Sequence, residues 1–158
     1  MVVTNAMRML KQAGIPFDIS EYEADESDLS GVHAAAMLGI DPDCMFKTLV
    51  TQGEKQGPLV FCIPVAEELD LKKCAAIAGE KRIEMIPVKA LLGFTGYVRG
   101  GCSPIGMKKT FPTFLDETAQ LFDTIAVSAG QRGCQVILPP DALADYCEAA
   151  LCDLVSLD

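Results

Sequence analysis

Between Thr95 and Lys109 the chain reads TGYVRGGCSPIGMKK, a run that neither a continuous helix nor a central strand can hold. Pro104 has no N–H and a fixed φ, while Gly100, Gly101 and Gly106 lack the Cβ that bars positive φ. A short apolar strand entering this run therefore has to stop and become a loop. Such a loop can turn several backbone N–H groups toward one point, the geometry that holds an anion or a developing oxyanion. A tight Gly-Pro connection between strands uses the same residues. The loop alone leaves both readings open.

At 158 residues the chain fits one compact domain, 1–158, able to bury roughly two thirds of its unfolded surface without staples. No uncharged apolar run approaches the ~20 residues that cross a bilayer, and no basic segment precedes an apolar one at the start. A soluble, cytoplasmic protein with no membrane partner is expected. Seven cysteines form an odd set without a Cys-x-x-Cys pair, which fits reduced thiols in a reducing compartment. His33 is the only histidine: no four-ligand zinc spacing is present, and a Ser-His-Asp or Cys-His relay would have to use His33, which nothing in the sequence places near Ser103 or Cys102. No metal and no cofactor are expected.

The net charge of −9 argues against broad polyanion binding. Its distribution is uneven: residues 1–46 carry −6, residues 47–110 carry +4 and residues 111–158 carry −7. Lys47, Lys72, Lys73, Lys81, Arg82, Arg99, Lys108 and Lys109 could make a local patch facing a phosphate while the rest of the surface repels nucleic acid. The acidic balance also suggests weak binding by the chain alone and help from a partner protein.

The remaining punctuation sets out an α+β pattern. Thr4 or Asn5 caps a first helix, with Ala6, Met9, Leu10 and Ala13 on one face and Gly14 at its end. Phe17–Tyr22 alternates as a half-buried strand, and a short helix runs from Gly31 to Leu38 after an acidic loop. Met45–Thr51 and Leu59–Val65 read as strands of a hairpin around GEKQG. Leu69–Ala78 and Pro87–Leu92 read as helices, with a strand at Ile83–Ile86 between them. Thr110–Phe114 looks extended, Glu117–Leu121 makes a helical turn, and Thr124–Ser128 pairs with Gly133–Leu138. A last helix runs from Pro139 to about Ala150.

Lys47 is the second anomaly, a lysine inside the strand MFKTLVT, where a buried ammonium is costly unless an anion or hydrogen-bond partner meets it. An edge lysine snorkelling to water is one account. A pocket lysine that clamps a phosphate or carbonyl, or forms a Schiff base, is the other. Cys102 in the glycine loop is either packing or a reactive thiol.

TGYVRGGCSPIGMKK, together with FKTLV around Lys47, the DLKKCA segment and VSAGQRG near Ser128, resembles the YbaK-type bacterial Cys-tRNA(Pro) deacylases, relatives of the editing insertion domain of prolyl-tRNA synthetases. The resemblance runs over nearly the whole chain. It implies a compact α+β domain with a mixed, largely antiparallel central sheet flanked by helices. It also implies a trans-editing enzyme whose partners are mischarged Cys-tRNA(Pro) and, through it, prolyl-tRNA synthetase. In that resemblance Lys47 holds the acceptor-end ribose or phosphate beside Thr48, and the loop Gly100–Gly106, with Ser103, Pro104 and Gly106, binds the substrate, its backbone amides near Gly101 receiving the scissile carbonyl. Tyr22, Ser128 and Gly130 line the pocket. The implied chemistry needs no protein nucleophile: the thiol of the bound cysteine attacks its own ester and leaves as a thiolactone.

Two positions depart from the family pattern. Gln135 stands where an aspartate is common, and the loop at Leu29 and Ser30 replaces an aromatic. An Ala-tRNA(Pro) deacylase of the same fold, a non-catalytic module that binds an acceptor end or nucleotide, and a Schiff-base lyase through Lys47 are the alternatives.

Overall fold

The computed structural model describes residues 3–157. Its elements are α1 (Asn5–Gln12), β1 (Asp18–Glu21), α2 (Gly31–Leu38), β2 (Phe46–Gly53), β3 (Gly57–Pro64), α3 (Leu71–Ala78), β4 (Ile83–Met85), α4 (Val88–Thr95), β5 (Thr113–Asp116), β6 (Ile125–Gln131), β7 (Cys134–Leu138), α5 (Pro140–Cys147) and β8 (Ala150–Cys152). The expected α+β fold is present, but its strands divide into two sheets. One has the order β1-β7-β6 and the other β4-β2-β3-β5-β8. Pairing is antiparallel except for β3 with β5 and β5 with β8. A single parallel bridge, Met45 to Ala126, ties the sheets together.

The central strand is β3, and its sequence says why. Val60 and Cys62 enter one core cluster, Leu59, Phe61 and Ile63 the other, so both faces are apolar and the strand reads as an unbroken hydrophobic run. The first cluster joins α1 through Ala6, Met7 and Leu10, and α5 through Leu143 and Ala144, to the inner faces of both sheets. The second sets Cys74 and Ala75 of α3 on the opposite face of β3, where Phe61 stacks on Phe114 at 5.0 Å. A third, smaller cluster packs Ala34 and Ala35 of α2 against Met45, Val65 and Ala126. No helix among the described residues is long and apolar enough to cross a membrane.

Several elements differ from expectation for local reasons. The segment entering the glycine loop is the end of a helix, not a strand. Thr95 closes α4 by donating its hydroxyl to the Leu91 carbonyl at 2.8 Å and accepting the Tyr97 N–H at 3.0 Å, and Gly96 takes the left-handed C-cap at φ 85°. The last helix stops at Cys147, short of the expected end near Ala150, with Glu148 left-handed at φ 52°, and β8 follows from Ala150. No glycine or proline announces that stop. In α1 the buried face is Ala6, Met7 and Leu10, while Ala13 is exposed.

Candidate active site

The two sheets are bridged at Met45 and Ala126. Beside that bridge lies a cleft of about 580 Å³ walled by β2, by Ser128 of β6 and Gln135 of β7, and by the start of α2. On the open edge of β2, β4 covers only Thr51–Gly53, so Phe46–Leu49 meet no strand there among the described residues. The Ile86 N–H reaches the Val50 carbonyl across this edge. Backbone groups alternate sides along a strand, which puts the N–H and C=O of Thr48 on the same open edge, facing the cleft. An edge donor beside a strand lysine is a combination that neither residue's identity discloses.

Of the residues singled out in the sequence, Tyr22, Lys47, Thr48, Gly100 and Ser128 line this cleft, joined by Leu29, Ser30, Arg99, Cys102 and Gln135. Gly101, Ser103, Pro104, Gly106 and Gly130 do not. The Gly101 N–H is committed to the Val98 carbonyl at 2.9 Å, and the residue is buried against the backbone of Gln131 and Arg132. That amide is therefore not offered to a carbonyl in this conformation. Ser103 is fully buried and its hydroxyl accepts the Ile105 N–H at 3.1 Å. The Pro104 carbonyl accepts the Cys147 thiol, and Pro104 and Gly106 line a separate hollow of about 230 Å³ with Tyr146. Gly106 and Gly130 both make room for Tyr97: a Cβ on either would come within 2.9 Å and 2.8 Å of its ring or hydroxyl. The glycine loop is thus mostly a scaffold whose first residues, Arg99 and Gly100, reach the site.

The expected basic patch contracts in the same way. Only Lys47 and Arg99 line the cleft. Lys73, by contrast, is spent on Asp153 at 2.9 Å and on the Val155 carbonyl at 2.8 Å.

Lys47 is half-buried and has no ion-pair partner among the described residues. Burial pulls its ammonium below the ordinary lysine range, and the charges of Glu68 and Glu67 offset this only in part. The cleft lining contains no aspartate or glutamate. Tyr22 is held as a neutral phenol, its pKa raised by burial and then by the charge of Asp28. Cys102 is held as a neutral thiol: burial pushes it up to about 12, against a smaller opposing hydrogen bond from Thr95. His33 sits outside the lining, 3.7 Å from Asp28 and edge-on to the Tyr22 ring. No cluster of metal-ligating side chains occurs among the described residues.

Sequence reasoning missed Arg132. Its Nε donates to the Arg99 carbonyl at 2.8 Å and its stem packs beside Gly100, fixing the loop at the cleft mouth. Its position in a hairpin turn gave no sign of a contact 33 residues away.

A site lined by no carboxylate and no histidine, built from a lysine, an edge backbone donor and hydroxyls, can stabilise negative charge and orient an ester. Residues 29–146 match the model of the aminoacyl-tRNA editing domain. The chain belongs to that family, whose substrates are charged tRNAs. It is 53% identical over 140 residues, covering 89% of this chain and 85% of the relative, to the Enterococcus faecalis (strain ATCC 700802 / V583) protein named "Putative Cys-tRNA(Pro)/Cys-tRNA(Cys) deacylase EbsC". Among solved structures it superposes with TM-score 0.85 on "a putative trans-editing enzyme for prolyl tRNA synthetase", at 24% identity over 99% of this chain and 100% of that one. The crystal structure of hypothetical protein APE2540 matches at the same TM-score, with 19% identity over 94% and 97%. These two likenesses establish the fold. Tyr22, on the segment before residue 29, lies outside the family match.

Proposed function

We propose that the protein is a trans-editing deacylase that removes cysteine from mischarged Cys-tRNA(Pro). The observation that carries this reading is Lys47, a partly desolvated cation kept without a carboxylate partner at the wall of a cleft that itself holds no acid. A terminal nucleotide phosphate or an ester oxygen supplies the missing negative charge. The Thr48 N–H, on the open edge of β2, takes the place assigned to Gly101 as a donor to the scissile carbonyl.

The chemistry then belongs to the substrate. The cysteine thiol attacks the carbonyl carbon, the C–S bond forms, the ester C–O bond breaks, and the thiol proton ends on the departing ribose hydroxyl. Amino acid leaves as a thiolactone that water opens. The pocket contributes orientation and charge stabilisation, which suits a site where Cys102 is a neutral thiol and no histidine is present in the lining. A net charge of −9 disfavours stable capture of free tRNA, so prolyl-tRNA synthetase is proposed as the partner that presents it, in the cytoplasm where seven free thiols persist.

Single-turnover deacylation of Cys-, Ser- and Ala-tRNA(Pro) tests the reading. Rapid loss of cysteine with serine and alanine retained is the expected result. Equal rates on cysteine and alanine would replace thiol attack by water activation, and no release from any of them would leave a binding module.

A further inference from the structure

Gln135 carries the one buried side-chain polar atom among the described residues that has no hydrogen-bond partner, Oε1. The residue is 5% exposed and lines the cleft. Register explains its aim. Ser20, Gln135 and Ser128 stand in one row across β1, β7 and β6. Side chains alternate faces along a strand, so Cys134 and Val136 enter the core while Gln135 faces the cleft. Ser128 Oγ already accepts the Gly130 N–H at 3.1 Å. A buried amide oxygen with no donor destabilises the empty protein, and a cleft wall is where a ligand's donor can meet it.

The charges around it select the donor. Lys47 and Arg99 draw phosphate and carbonyl oxygens, and no carboxylate in the lining is there to meet an amine. Resting on the deacylase reading above, we propose that the Gln135 amide oxygen accepts a hydrogen bond from the α-amino group of the bound aminoacyl ester. It is a specificity residue that reads the amine by direction rather than by charge. A neutral acceptor leaves the cationic field of the cleft intact for the nucleotide end, which a carboxylate at this position would partly cancel.

The test uses ligands that cannot be cleaved: adenosine carrying, through a 3′ amide, cysteine, 3-mercaptopropionate (no amine) or alanine (no thiol). Their binding to the full-length protein and to Gln135→Met is measured by calorimetry, with thermal melting of both proteins alongside. The wild type is expected to bind the cysteinyl ligand about tenfold tighter than the mercaptopropionyl one. Gln135→Met is expected to bind these two equally and to melt at the same temperature or higher, because an unmet acceptor has been replaced by an apolar group of similar shape. Equal affinities in the wild type, or a ratio that survives in Gln135→Met, overturn the inference. So does a loss shared by the cysteinyl and mercaptopropionyl ligands with the alanyl ligand unaffected, which would place the amide on the thiol, or a melting temperature several degrees lower, which would mark a structural amide. Binding of none of the three overturns it together with the reading it rests on. Because no turnover is involved, a lost deacylase activity with an intact ratio would sink only the catalytic reading.

Discussion

The two ends of β2 each bring a charged side chain into a sheltered setting, and they resolve it in opposite ways. At the hairpin end Glu80, 6% exposed, takes the N–H groups of Lys55 and Gln56 at 3.1 and 2.9 Å and the Gln56 side-chain amide at 3.0 Å. Gly53 admits it: a Cβ there would stand 2.6 Å from the carboxyl carbon. At the cleft end Lys47 has no ion pair among the described residues, and Gln135, on the other sheet, lines the same cleft with an unmet oxygen. A buried charge satisfied by its own chain holds the fold together. One left unsatisfied beside a cleft is kept at a cost, for something the chain does not contain.

The largest effect is expected from Lys47→Met. Removing a preorganised positive donor typically costs about 10²–10³ in rate, so single-turnover loss of cysteine from Cys-tRNA(Pro) should fall by that factor. Stability should move the other way. The folded-state pKa of Lys47 lies below its unfolded value, so the charged form opposes folding at neutral pH, and the penalty fades only as pH rises through the folded pKa. Lys47→Met should melt at or above the wild-type temperature. A variant that melts much lower and keeps its rate would make Lys47 a second Glu80 and abolish the contrast.

Glycines sharpen it next. Gly31, at the start of α2, has its missing Cβ 2.4 Å from Val65 Cγ1, just as Gly53 leaves room for Glu80. Gly31→Ala and Gly53→Ala should each cost about 1–3 kcal/mol in denaturant unfolding, from overpacking. Only Gly31→Ala displaces a cleft wall, and only it should change deacylation. Equal losses of activity would mean that the hairpin end also shapes the site.

Glu80 itself supplies a pH signature. The N–H groups of Lys55 and Gln56 hold its carboxyl below the usual glutamate range. A depressed folded pKa contributes stability above the unfolded pKa of about 4.3 that is lost as pH falls through the folded value. Glu80→Gln should therefore lower the melting temperature by several degrees at pH 7 and flatten its fall below pH about 4. An unchanged acid limb would show that the carboxylate does not hold the hairpin.

The same contrast explains what the sequence could and could not disclose. Lys47 announced itself because a lysine in MFKTLVT violates the pattern around it. Helix ends marked by Gly39 and Gly79 were legible because left-handed caps favour glycine. The glycines were ambiguous: Gly101 and Gly106 of the loop and Gly130 of β6 make contacts with Arg132 and Tyr97, and sequence cannot separate a glycine that approaches a ligand from one that approaches its own chain. The open edge of β2 was hidden too. It exists because β4 stops short, and strand pairing is a property of two segments together.

Arg132 should show the smallest effect. Its Nε–H···O bond to Arg99 fixes where the loop meets the cleft, but its guanidinium is 3.6 Å from the exposed Glu26, and surface pairs of that kind contribute little. Arg132→Met keeps an apolar stem beside Gly100 and removes one hydrogen bond, so KM for Cys-tRNA(Pro) should rise about threefold to tenfold with kcat unchanged. Glu26→Gln should leave both constants alone. The split matters: a positioning residue loosens binding of the acceptor end, whereas a fall in kcat of the size expected for Lys47 would put Arg132 among the unmet charges of the cleft and not among the satisfied ones that frame it.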